Sequence, residues 1–126
     1  MRLLLDTHVW LWLLDGSPRL STTTLELLAD PTHQLSLSVA SVWEVGVKHA
    51  AGRLELPASP EECLRLSTWV TVLEIEAADA LVAARLPRLH GDPFDRLLVA
   101  QAQRRELTLI TADRVLGGYD VAVLPV

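Results

Sequence analysis

The chain has 126 residues, one domain's worth, of which 50% are hydrophobic and 21% charged. That balance excludes an intrinsically disordered chain, and no apolar run approaches the 18–20 residues of a membrane span. Sixteen acids against eleven bases give a net charge of −5 and a pI near 5.2, which argues against gripping nucleic acid by bulk charge. Ten of the bases are arginine, and Lys48 is the only lysine. The N-terminal apolar stretch is interrupted by Asp6 after three leucines, too early for a signal peptide. The single cysteine, Cys63, excludes an intramolecular disulfide and fits a reducing cytoplasm. Together these features predict a soluble, single-domain intracellular protein.

Leu3-Leu4-Leu5 reads as a short buried strand closed by Asp6, followed by a helix from His8 to Leu14 that stops at Asp15-Gly16-Ser17-Pro18. Ser21 caps a helix through about Ala29, and Asp30-Pro31 ends it. Leu35 to Val39 alternates as a strand, and an apolar helix from about Ser41 to Ala51 ends at Gly52. Ser59-Pro60-Glu61-Glu62 combines an N-cap, a first-turn proline and a capping-box glutamate, opening a helix to about Thr68. Val70 to Ile75 is strand-like, Ala77 to Leu86 helical, and Asp92-Pro93 starts a helix to about Arg105. Leu107 to Thr111 and Val121 to Leu124 are the last strands. Strands separated by helices imply βαβ units. The predicted fold is α/β, a three-layer α/β/α sandwich around a mostly parallel sheet of four or five strands.

In open α/β sheets, ligands bind beyond the carboxyl ends of the strands. Asp6 follows the first strand directly, and Asp113 lies two residues beyond Thr111. Glu44 and Asp95 lie near helix starts. If these converge, four carboxylates share one cleft. Two unit charges 4 Å apart repel by about 4 kcal/mol at an effective dielectric of 20, so such a cluster needs protons or cations. All-oxygen ligation suits Mg²⁺ or Mn²⁺.

Each acid also has a purely structural reading. Asp6 could cap the helix after it. Ser41-x-x-Glu44 matches a capping box, although Glu44 lies among apolar neighbours, with Lys48 as its candidate partner. Asp92-Pro93-x-Asp95 fits an N-cap with an acid favourable to the helix dipole. Asp113 could be a turn residue. Other chemistries have less support: there is no GxxxxGK[ST] loop, GxGxxG fingerprint or GxSxG elbow. His8, His33, His49 and His90 lack close zinc spacing and read as surface or supporting residues. Cys63 reads as a packed small hydrophobe, and Trp10, Trp12, Trp43 and Trp69 as core or interface anchors. Arg85, Arg88, His90, Arg96, Arg104 and Arg105 cluster late in the chain, where they suit either a polyanion or a solvated helix face.

Four segments, DTHVWLW at 6–12, SVASVWE at 38–44 followed by Lys48, HGDPFDRLLVAQA at 90–102 and LTLITAD at 107–113, together resemble PIN-domain ribonucleases. More narrowly, they resemble the VapC toxins of bacterial toxin–antitoxin pairs. The resemblance covers essentially the whole chain and implies a single nuclease domain over residues 1–126. It places the family's acidic quartet on Asp6, Glu44, Asp95 and Asp113, as catalytic residues and ligands of Mg²⁺ or Mn²⁺. It makes Asp92 a helix cap or supporting residue, and Thr7 and Thr111 hydroxyls beside the metal. Gly91 departs from the larger polar or basic residue of many relatives. The implied activity is metal-dependent endoribonuclease cleavage of structured RNA in the cytoplasm. The implied partners are a VapB-like antitoxin and a second copy in a homodimer, with no membrane. Two rivals are a catalytically silent PIN-like binding module and a receiver-like signalling domain. The latter needs a lysine after its late core strands, whereas Lys48 lies early.

Overall fold

The computed structural model describes residues 1–126. The elements run β1 (Arg2–Leu5), α1 (Thr7–Asp15), α2 (Thr22–Ala29), β2 (Gln34–Ser38), α3 (Val39–Ala50) and α4 (Pro60–Leu66). They continue with β3 (Thr71–Leu73), α5 (Ala77–Arg85), α6 (Pro93–Arg105), β4 (Thr108–Thr111), a 3₁₀ turn at Arg114–Gly118 and β5 (Val123–Pro125). All neighbouring strands pair in parallel, in the order β3-β2-β1-β4-β5.

Leu3, Leu4 and Leu5 are fully buried because β1 is the central strand and both its faces are covered. Leu3 and Leu5 pack with Val9, Trp10, Leu28, Val45 and Cys63 under α1–α4. Leu4 points the other way, against Leu98, Val99 and Ala102 of α6. Period-two geometry is therefore intact but invisible in the residue types, since both layers are apolar. The result is the three-layer α/β/α sandwich, with five strands.

Local signals set most helix starts. Ser21 accepts from the Thr24 N–H and Ser59 from the Glu62 N–H, with Pro60 in the first turn. One start is earlier than the sequence suggests. Helix α3 begins at Val39 with Ser38 as its cap, so Ser41 and Glu44 do not form a capping box. Both are buried within the helix, where Ser41 faces Thr7 rather than a free end. The strand expected over Val70 to Ile75 is reduced to Thr71–Leu73, and the last strand moves to Val123–Pro125. Of the tryptophans, Trp10 is a core anchor that donates to the Ser67 hydroxyl, whereas Trp43 and Trp69 are exposed. No helix is long and apolar enough to cross a membrane.

The strand order locates the crevice. From β1 the chain builds outward through β2 and β3, then returns to lay β4 on the other side of β1. That reversal opens a gap at the carboxyl ends of β1 and β4, the place where such sheets bind ligands. A flavodoxin-like receiver instead puts its second strand at the sheet edge; here β2 is internal, which removes the receiver-like alternative.

Candidate active site

Asp6 occupies the N-cap position of α1, yet its carboxylate makes no capping bond. Oδ2 accepts from the Thr111 hydroxyl at 2.5 Å, across from β4. Oδ1 is buried with no hydrogen-bond partner, a rare condition for a carboxylate oxygen. Burial raises the Asp6 pKa, opposed mainly by the Thr111 hydrogen bond. The same threonine receives the Asp113 backbone N–H at 2.9 Å, so one hydroxyl ties the two strand ends together.

Glu44 is 2% exposed, halfway along α3. Its Oε1 accepts from the Thr7 hydroxyl at 2.8 Å, and its Oε2 meets Lys48 Nζ at 2.5 Å, one helical turn on. Thr7 is also 2.8 Å from the Ser41 hydroxyl, so α1 and α3 lock the glutamate rotamer between them. A cleft of about 230 Å³ opens beside it, with His8, Lys48 and Arg53 in its wall.

Asp92 and Asp95 separate cleanly. Asp92 Oδ1 accepts from the N–H groups of Phe94 (2.8 Å) and Asp95 (3.4 Å), which makes it the N-cap of α6. The Asp95 side chain is 13% exposed and makes no cap. Burial, and then the negative charges of Asp6, Asp92 and Glu44, push its pKa up to about 7, with His90 acting in the opposite direction. Asp113 caps the 3₁₀ turn through Oδ1, accepting from the Val115 N–H at 2.9 Å, and turns Oδ2 inward.

His90 completes the cluster. Its Nε2 lies 3.0 Å from Asp113 Oδ2 and 3.2 Å from Asp95 Oδ2. Ligand atoms of His90, Asp95 and Asp113 all fall within 4.8 Å of one another. The fold thus draws Asp6, Glu44 and Asp95 into one another's electric field, and Thr111 and His90 link Asp113 to them. The sequence reading of His90 as a surface or supporting residue does not single it out from the other histidines. Its only local signal is a position two residues before a capped helix.

Residues 3–121 match the family model for the PIN domain. The chain belongs to the PIN domain family. Its fold is similar to that of a chain in the VapBC2 complex of Rickettsia felis bound to a DNA fragment from its promoter. That pair has a TM-score of 0.76 and 16% identity over 99% of this chain and 98% of the other. A chain of a toxin–antitoxin complex from Klebsiella pneumoniae gives a TM-score of 0.69 at 22% identity, covering 98% and 97%. A chain of VapBC-1 from nontypeable Haemophilus influenzae gives 0.66 at 20%, covering 99% and 98%. At these identities the likeness is one of fold. No curated protein sequence matches the chain. PIN domains are generally nucleases, and in this one Asp6 and Asp113 follow β1 and β4, the two strands at the switch point.

Proposed function

We propose that this PIN domain, residues 1–126, is a VapC-like toxin: a divalent-metal-dependent endoribonuclease controlled by a VapB-like antitoxin. The observation that carries the reading is the bare, buried Oδ1 of Asp6 within the field of Glu44 and Asp95. A desolvated carboxylate cluster of this kind fits a hard cation. Its donors are oxygens, one of them has no other partner, and one acid is neutral enough near pH 7 to exchange a proton for a metal. Asp6, Glu44, Asp95 and Asp113 would hold Mg²⁺ or Mn²⁺. When bound, the ions supply charge neutralisation at the scissile phosphate and activation of the attacking water.

The protein's own groups do the positioning. Thr111 fixes Asp6 Oδ2 and leaves Oδ1 directed into the site. Thr7 and Lys48 hold the two oxygens of Glu44, so that its charge is fixed before substrate arrives. Lys48, His8 and Arg53 line the adjoining cleft and suit the flanking phosphates of a nucleic acid. Local cations at the cleft offset a net charge of −5 that would otherwise repel RNA. A separate apolar groove of about 430 Å³, lined by Trp43, Val47 and Leu64 among others, suits a protein partner such as an antitoxin or a second copy. The toxin–antitoxin complexes among the structural neighbours support that assignment. Homodimerisation and cytoplasmic action complete the proposal.

The test incubates the purified protein with total cellular RNA in Mg²⁺, Mn²⁺ or EDTA and maps the new ends. Cleavage should require a divalent ion, leave 5′-phosphate and 3′-hydroxyl termini and disappear in Glu44→Gln. Metal-independent cleavage, cyclic-phosphate ends, or an unchanged Glu44→Gln would overturn the assignment.

A further inference from the structure

Every polar atom of His90 is engaged. Its backbone N–H donates to the Tyr119 hydroxyl at 2.9 Å. Its carbonyl accepts from Arg96 at 3.3 Å, and Nδ1 accepts from the Asp92 N–H at 3.0 Å. Nε2 faces Asp113 Oδ2 and Asp95 Oδ2. The Arg96 guanidinium also holds the carbonyls of Ala83, Leu86 and Pro87, which end α5 and lead into the loop carrying His90. The same guanidinium lies 3.5 Å from the Tyr119 hydroxyl.

The Asp92 contact settles the tautomer. A backbone N–H cannot donate to a nitrogen that itself carries a proton, so Nδ1 is bare and the imidazole proton is on Nε2. In that form Nε2 is a donor and has no lone pair for a metal. The ring therefore donates to Asp113 Oδ2, with Asp95 Oδ2 3.2 Å from the same nitrogen, although these distances alone would equally suit a third ligand.

We propose that His90 is a positioning residue of the metal site: its Nε2–H holds one oxygen of Asp113, orienting that acid towards the ion without ligating it. This inference rests on the divalent-metal reading of the site. That donor ties the loop before α6 to Asp113, beyond the end of β4, with Asp95 of α6 beside it. The Asp92 backbone thus has a second task beside the cap on its side chain: its N–H selects the tautomer that makes His90 a donor.

The test measures Mn²⁺ binding to the full chain by electron paramagnetic resonance, alongside ¹⁵N NMR of the His90 ring without metal. Wild type should show the Nε2–H tautomer. His90→Ala should weaken Mn²⁺ about 10–100-fold, the usual cost of losing a partner that orients a ligand. His90→Gln, whose amide N–H can reach the Nε2 position, should recover most of that loss. Tyr119→Phe removes the hydroxyl that accepts from the His90 N–H and lies 3.5 Å from Arg96, and should weaken Mn²⁺ in the same direction by less, even if His90→Ala folds poorly. Wild-type affinity in His90→Ala, tighter binding there, equal loss in the Ala and Gln variants, or an Nδ1–H tautomer would each overturn the inference. Absence of Mn²⁺ binding by wild type would overturn the metal reading itself, and this inference with it.

Discussion

Replacing Asp95 with asparagine should stabilise the metal-free protein at alkaline pH and leave it unchanged in acid. The Asp95 carboxyl is held up at about 7 against 3.8 for an ordinary aspartate, first by burial and then by Asp6, Asp92 and Glu44. The folded state therefore keeps a proton over a window in which the unfolded chain has lost it. Between about pH 4 and pH 7 stability falls as pH rises, because the native state binds more protons. Below that window both states are protonated, and above it neither is. At 1.36 kcal/mol per pKa unit the ceiling is about 4 kcal/mol. The side chain keeps 13% of its surface in water, and screening reduces the expected effect to about 2 kcal/mol.

Asparagine has nearly the same volume and cannot ionise, so the penalty disappears with the charge. For a chain of 126 residues, 2 kcal/mol corresponds to about 8 °C in Tm. Thermal unfolding followed by circular dichroism in EDTA, from about pH 4 to pH 8.5, checks this. The curves should coincide at the acid end and separate on the alkaline side, with the variant higher. Asp6 is displaced in the same direction, so the variant should retain a shallower decline of its own. Saturating Mn²⁺ should close the gap by raising wild type, since about 100 Kd of ligand contributes about 2.7 kcal/mol. A variant equal to or less stable than wild type near pH 8 in EDTA would refute the electrostatic reasoning.

Asp6→Asn should keep its bond from Thr111, hold or raise metal-free Tm, and abolish most of the Tm increase produced by Mg²⁺ or Mn²⁺. Asp92→Ala should cost about 1 kcal/mol in chemical unfolding, as for a lost N-cap, while RNA cleavage falls far less than in Asp95→Asn. A remote control is Asp79, fully buried and bonded to Arg104 and Arg105. Burial would raise its pKa, but the Arg105, Glu76 N–H and Arg104 hydrogen bonds outweigh it and hold the carboxyl at about 2. Its contribution is therefore complete above about pH 4 and lost as pH falls towards 2. Asp79→Asn should cost about 2 kcal/mol near neutrality, discounted because both arginines are partly exposed, and leave cleavage intact.

What the sequence discloses depends on how far away the deciding partner lies. Ser21, Ser59 and Asp92 are legible as caps because their partners are two or three residues on. The leucine run of β1 is legible because a strand buried on both faces needs no alternation. The order of strands is not, since Leu3 pairs with both Leu35 and Thr108 and nothing local selects them. Ser38 and Ser41 are equivalent as caps on paper; in the fold Ser38 accepts from the Ala40 N–H while Ser41 meets Thr7 across from α1. The start of α5 at Ala77 is legible from its Ala/Leu pattern, although its cap, Glu76 in a reciprocal box with Asp79, is an unusual one. The end of α6 at Arg105 is likewise legible, even though its cap, Glu106 at φ 53°, takes a left-handed conformation usually left to glycine. The candidate acids were visible by position at strand and helix ends, whereas His90 acts through contacts that no periodicity encodes.

Asp6, Asp92 and Asp113 show how one residue type in one local setting is divided between tasks. Each stands at an N-cap position with extended backbone. Asp92 uses Oδ1 on two N–H groups, and Asp113 uses Oδ1 on one while Oδ2 meets His90. The Asp6 side chain gives α1 no cap, although its carbonyl accepts from the Val9 and Trp10 N–H groups. The difference lies across the sheet, where β4 runs beside β1 and presents the Thr111 hydroxyl to Asp6 Oδ2. The helix forgoes about 1 kcal/mol of capping, and a buried oxygen without a partner costs about 1–3 kcal/mol more. A fold selected for stability alone would turn that carboxylate towards the helix amides only one turn away. A hydroxyl from the far side of the switch point holds it away from them, which in the proposed site leaves one carboxylate oxygen for the ion.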